Sequence, residues 1–268
     1  SASSQILNYL LSIIYNLFLL GFILQTIICM KWGKRYDSLF VNRLFRSIKR
    51  HSIRQTRLVC FTDNKFGIDK EIECKPLPKI DIPEYLSNTP WRKISVWQYP
   101  LHDLEGDVLF LDLDLVITGN IDRFFDYKPG LYCVIENWTQ KGKGIGNTSC
   151  FRFPVGNYSF IFSNFEKNSN EILKKFHIEQ TYLSDQIKDQ EFWPNQWCVS
   201  FKHDLLPKWP IRIWKAAELP IDTSLVAFTG KPDPDDVLLG KWPVPKKYFF
   251  KKVYKQFCTP NWVKSNWI

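Results

Sequence analysis

The first part of the chain is its most apolar. Residues 6–24 carry no charge and are broken only by Asn8, Ser12, Asn16 and Gly21; the first charge is Lys31. As a helix this stretch would span roughly 28 Å, close to a bilayer core of about 30 Å. Residues 1–25 are therefore expected to be a membrane anchor, a helix packed on the domain, or an extension foreign to the native protein. No basic start or small-residue cleavage site marks a signal peptide. If the stretch spans, Lys31, Lys34 and Arg35 on its C-terminal side favour a cytoplasmic domain beyond it.

Past this point short apolar runs alternate with helical periodicities. Residues 26–31 (TIICMK), 57–62 (RLVCFT) and 108–113 (VLFLDL) read as buried strands, with further strands at 131–135, 149–153, 197–201 and 225–228. Asp37 or Ser38 caps a helix whose apolar positions Val41, Leu44, Phe45 and Ile48 recur at helical spacing. Residues 171–176 and 181–188 also look helical. Strands alternating with helices imply an α/β domain with a mostly parallel sheet covered on both faces. Ligands of such sheets bind at the carboxyl ends of the strands. One domain is expected over 26–240, without repeats or linkers. Residues 241–268 are basic and aromatic, contain no acid, and read as a C-terminal extension.

Composition narrows the partners. A formal charge of +9 favours something anionic, a membrane surface or a phosphorylated ligand. Without an RNA-binding aromatic signature, zinc finger or basic zipper, nucleic acid is not expected. The seven cysteines are scattered and form no C-x-x-C pair, so they read as reduced, buried thiols rather than a zinc site. The sequons at Asn137, Asn147 and Asn157 are read as chance. Gly142 to Gly146 (GKGIG) lacks the G-K-[ST] ending of a phosphate loop and is expected to be a loop only.

The strongest chemical signal is FLDLDLVITGNID, residues 110–122. A buried strand runs into Asp112-Leu113-Asp114, and alternation puts both carboxylates on one side. Two carboxylates at a strand's carboxyl end suit a hard divalent cation, Mn²⁺ or Mg²⁺, able to bridge the phosphates of a diphosphate.

This run resembles the D-x-D segment of GT-A glycosyltransferases, especially the family 8 type typified by glycogenin and the lipooligosaccharide galactosyltransferases. The likeness covers nearly all of 26–234. It implies the Rossmann-like GT-A fold and transfer of a sugar from a nucleoside diphosphate donor, UDP-linked, to an acceptor hydroxyl on a glycan or lipid-linked acceptor. It places Lys31, Trp32, Gly33 and Tyr36 along the nucleotide, Asp63 at the base, and Lys93 of the segment W-R-K as a cation approaching the donor. Glu136, Asn137 and Asn147 would line the donor sugar. In TYLSDQ, residues 181–186, a helix start would bring Asp185 and Gln186 to the reaction centre. In VAFTGKP, residues 226–232, Gly230 and Lys231 would meet a phosphate. The resemblance breaks at Thr229, where such proteins commonly carry the His that completes the metal site. A nucleotidyltransferase, an inactive sugar-nucleotide-binding protein and a basic surface-binding module remain as rivals. The expected location is cytoplasmic, with membrane association through the tail or residues 1–25.

Overall fold

The computed structural model describes residues 24–268. The apolar stretch expected as an anchor lies almost wholly outside the described residues. No described helix is long and apolar enough to cross a membrane.

Strand β1 (Gln25–Lys31) is followed by helix α1 (Ser38–His51), then β2 (Thr56–Thr62) and β3 (Glu73–Lys75). The Asp37 carboxylate caps α1 by accepting from the Leu39 amide at 3.0 Å, and Lys49, Arg50 and His51 close its last turn, where the helix dipole favours cations. The side chains of Val41, Leu44, Phe45 and Ile48 are buried, as their spacing predicts.

A 3₁₀ segment, Pro90–Trp97, leads to β4 (Asp107–Leu111), β5 (Leu115–Ile117) and the short helix α2 (Arg123–Asp126). Strands β6 (Cys133–Glu136) and β7 (Gly146–Pro154) precede helices α3 (Phe160–Lys175) and α4 (Glu179–Gln186). Strands β8 (Glu191–Phe192), β9 (Cys198–Ser200) and β10 (Leu225–Ala227) and helices α5 (Pro234–Leu238) and α6 (Asn261–Asn266) complete the order.

The main sheet has seven strands in the order β3-β2-β1-β4-β7-β6-β8. It is mostly parallel; β7 alone runs against its neighbours β4 and β6. Alternation along β1 and β4 divides the core. Ile27, Cys29, Leu109 and Leu111 face one layer, while Ile28, Met30, Val108 and Phe110 face the other. A second sheet, β5-β10-β9, stands beside it.

Two sequence expectations change here. The strand expected over 108–113 ends at Leu111; Asp112 still donates its amide to Ser149 O at 2.8 Å, and the chain then turns into β5 of the second sheet. The D-x-D thus marks the switch from one sheet to the other. The expected C-terminal extension is no appendage: Phe257, Val263 and Trp267 are buried in the same core as α1. Trp267 packs edge-on to Phe40 and donates to Asp235 Oδ1 at 2.9 Å.

All seven cysteines are free thiols.

Candidate active site

A cavity of about 630 Å³ opens where β1 and β4 end. Its wall is assembled from six parts of the chain. The loop after β1 gives Trp32, Gly33, Lys34, Arg35 and Tyr36, and the 3₁₀ segment gives Lys93. The turn after β4 gives Asp112 and Asp114, and β7 gives Asn147 and Ser149. Helix α4 gives Gln180, and the loop after β10 gives Phe228, Thr229 and Gly230. Crossover topology brings strand ends and helix starts to one edge of a parallel sheet, which is why residues so distant in sequence meet.

The two carboxylates are already engaged. Lys93, itself 5% exposed, places Nζ 2.7 Å from Asp112 Oδ1 and also donates to Thr148 O at 3.1 Å. Tyr36 Oη donates to Asp114 Oδ2 at 2.7 Å, and Arg35 stands 3.9 Å from the same oxygen. Burial, and then the neighbouring Asp112 carboxylate, push Asp114 up to about 7. Burial likewise raises Tyr36. A buried carboxylate crowded by a second one is a place where a cation relieves repulsion. Thr229 lines the same cavity, and its Oγ1 is buried with no hydrogen-bond partner. The two carboxylates are of the oxygen type that Mg²⁺ or Mn²⁺ takes. No third His, Cys, Asp or Glu among the described residues joins the two in a metal-holding group.

Behind the wall a network fixes α4. Thr148 Oγ1 donates to the buried Glu179 carboxylate at 2.7 Å, and burial raises the Glu179 pKa. Asn137 Nδ2 donates to Gln180 Oε1 at 3.2 Å, and Gly146 N donates to Ser184 Oγ at 2.9 Å. Gly33 adopts φ +62°, and a Cβ there would lie 2.6 Å from Asn88 Oδ1, so the turn beside the cavity requires glycine.

Of the expected site residues, Trp32, Gly33, Tyr36, Lys93, Asp112, Asp114, Asn147 and Gly230 line the cavity. The structure places the others off the cavity wall. Asp185 and Gln186 stand at the end of α4, not its start, and are absent from the cavity wall. Asp185 pairs loosely with Lys175 and Lys188, and Gln186 Oε1 accepts from Asn164 at 3.1 Å. The residue that α4 presents to the cavity is Gln180. Lys231 turns away: its ammonium lies 2.5 Å from Asp233 Oδ2 and 3.0 Å from Asp236 Oδ2, bracing the start of α5. Asp63 is exposed and accepts from the Gly33 amide at 2.9 Å, so it anchors the turn rather than lining the cavity. Lys31 donates to Asn64 O at 3.2 Å, Glu136 Oε1 accepts from Gly142 N at 2.7 Å, and buried Asn137 acts behind the wall on Gln180. Arg35, Asn88, Gln180 and Phe228 also line the cavity and were not anticipated.

Neither protein-family models nor curated protein sequences match the chain. Solved structures do. The galactosyltransferase LgtC in complex with donor and acceptor sugar analogues superposes with a TM-score of 0.55 at 11% identity, over 90% of this chain and 96% of LgtC. The glycosyltransferase GlyE of Streptococcus pneumoniae TIGR4 gives 0.55 at 13%, over 90% of this chain and 63% of GlyE. The bifunctional glycosyltransferase WbbM in its apo form gives 0.52 at 12%, over 78% of this chain. The chain spans only 46% of WbbM's length but nearly all of LgtC's. The fold is therefore that of the GT-A glycosyltransferases, and its solved likenesses include the galactosyltransferase LgtC.

Proposed function

We propose that the chain is a glycosyltransferase that uses a nucleoside diphosphate sugar, UDP-linked, and moves the sugar to an acceptor hydroxyl on a glycan or lipid-linked acceptor. The observation that carries this reading is the meeting of Asp112, Asp114, Lys93 and Gln180 on one cavity at the strand ends. Trp32 and Tyr36 bring aromatic side chains to the cavity wall, where the nucleoside would lie. Gln180 and Asn147 bring amides to the same wall for the sugar.

Asp112 and Asp114 would hold Mn²⁺ or Mg²⁺ together with the donor's phosphate oxygens. Such an ion, when bound, supplies positive charge against the charge growing on the departing diphosphate. In the reaction the bond from the anomeric carbon to the phosphate oxygen breaks and the diphosphate keeps the electron pair, while the acceptor oxygen bonds to that carbon and passes its proton to the departing diphosphate or to solvent. Lys93, Lys34 and Arg35 are the cations this chain sets around the cavity, and they take the part expected of Lys231. Gln180 is held by Asn137 and can donate its amide to the sugar or the acceptor. LgtC was solved as an active-site Gln-to-Glu mutant, which accords with a working amide in such a site.

One observation favours a second reading, a sugar-nucleotide binder without turnover: Thr229 stands where the resemblance expects an imidazole, and among the described residues no third His, Cys, Asp or Glu joins the pair. Release of free sugar from UDP-sugars in the presence of Mn²⁺ separates the two. Slow donor hydrolysis that Asp112→Asn abolishes supports transfer; tight donor binding with no hydrolysis or transfer supports the binder.

A further inference from the structure

Trp242 lies in the stretch 241–268, which contains no acidic residue. Two cations rest on its indole: the Arg212 guanidinium carbon 5.4 Å and Lys255 Nζ 4.6 Å from the ring centroid. Lys251 is one helical turn from Lys255, whose amide donates to Lys251 O at 3.1 Å. Lys202 approaches from the other side of the chain, its Nζ donating to Thr229 O at 3.0 Å. Burial first, and then the nearby charges of Lys251, Lys202 and Arg212, lower the Lys255 pKa. Among the described residues no carboxylate forms an ion pair with any of them.

The cluster also has unused donors. Arg212 Nε and Trp242 Nε1 are both buried and donate to nothing. A buried N–H without a partner is costly, and two of them among uncompensated cations point to a missing anion.

The surroundings say where that anion comes from. Trp209, Ile211, Ile213 and Trp214 flank Arg212 in sequence and are 51%, 46%, 40% and 67% exposed. The segment is tied to the tail by Cys258 N donating to Arg212 O at 2.7 Å. Large apolar side chains left in water beside unpaired cations match the chemistry of an anionic membrane interface, with apolar tips below and phosphates above.

We propose that Arg212, Lys255, Lys251 and Lys202 at the edge of Trp242 form a binding site for the phosphate of an anionic lipid, with Trp209 and Trp214 inserted beside it. Lys202 holds the carbonyl of Thr229, which lines the donor cavity, so a lipid bound here brings its headgroup to the cavity mouth. That consequence rests on the transfer reading; the phosphate site does not, and its test needs neither donor nor metal.

The test is sedimentation of the full chain with vesicles of phosphatidylcholine alone and of phosphatidylcholine mixed with phosphatidylglycerol. Wild type binds the mixed vesicles more tightly than the neutral ones. Near an anionic surface each cation is worth about fivefold in affinity, so Arg212→Gln with Lys255→Gln lowers mixed-vesicle binding roughly twentyfold or more. The charge-matched pair Lys70→Gln with Lys79→Gln, exposed residues far from Trp242 in sequence, leaves it within about twofold of wild type. Trp214→Ser weakens binding without changing its salt dependence. An Arg212/Lys255 variant that melts like wild type and binds the vesicles equally well overturns the site. An equal loss in the Lys70/Lys79 pair also overturns it, by showing general surface charge. Displacement from vesicles by inorganic phosphate or UDP at matched ionic strength overturns the lipid assignment and gives the cluster to a free phosphate.

Discussion

Tyr36 Oη donates a 2.7 Å hydrogen bond to Asp114 Oδ2, inside the cavity that both residues line. The bond favours the ionised carboxylate, while burial and Asp112 oppose it. Removing the donor leaves a buried carboxylate short of a partner. Tyr36→Phe should therefore lower stability in chelator by about 1–3 kcal/mol, the range for leaving a buried acceptor unsatisfied. Denaturant melts check the value; an unchanged midpoint would mean that solvent replaces the hydroxyl.

The same carboxyl gives a pH signature. Its folded value, about 7, lies above the ordinary carboxylate value of about 3.9. The folded chain thus holds a proton that the unfolded chain has released, and stability contributed here falls as pH rises from about 4 through about 7. Asp114→Asn carries no such proton. In metal-free buffer its stability relative to wild type should climb across that window, by a few kcal/mol at most. A difference that stays flat with pH would mean that Asp114 is ionised throughout.

Gln180 and Gln186 make opposite predictions. Gln180→Ala removes an amide from the cavity wall and should cut transfer or donor hydrolysis roughly 10²-fold, a scale typical of losing one positioned donor. Gln186→Ala and Asp185→Asn should stay within a few-fold of wild type. Steady-state rates with matched melting curves decide between them, and a reversed order would return the reaction centre to the end of α4.

Arg152 is fully buried and donates to the carbonyls of Phe124 and Tyr127, each at 2.6 Å, and to that of Lys128. Its Nε lies 3.5 Å from Asp107 Oδ2. Arg152→Met strands these carbonyls and leaves Asp107 without its charge partner. A loss of about 3–5 kcal/mol is expected in chemical denaturation. A loss under about 1 kcal/mol would mean that water enters and replaces the guanidinium.

Much of the frame was legible because it rests on short-range pattern. The apolar runs near 26–31 and 57–62 and the spacing of Val41, Leu44, Phe45 and Ile48 are local signals, and β1, β2 and α1 follow them closely. Asp112 and Asp114 were legible because an apolar strand delivers them. What local pattern could not place depended on phase and tertiary packing. Helix α4 carries both Glu179-Gln180 and Asp185-Gln186, six residues apart, which is roughly 120° round a helix, so only one pair can face the cavity. The sequence does not say which. Lys231 looked free because Asp233 and Asp236, close by in sequence, gave no sign of folding back onto it. The tail looked detached because its aromatics lack a clean period; Trp267 finds its place against Phe40, far away in the chain.

The central claim is that Asp112 and Asp114, with a divalent ion, grip a nucleoside diphosphate in this cavity. Isothermal titration of UDP into wild type and Asp112→Asn, each in Mn²⁺ and in chelator, tests it most directly. The account predicts that Mn²⁺ tightens UDP binding to wild type by roughly tenfold or more, about 1.4 kcal/mol, and that a folded Asp112→Asn variant loses this increment. Equal UDP affinity in Mn²⁺ and in chelator, or an increment that survives in Asp112→Asn, would contradict it.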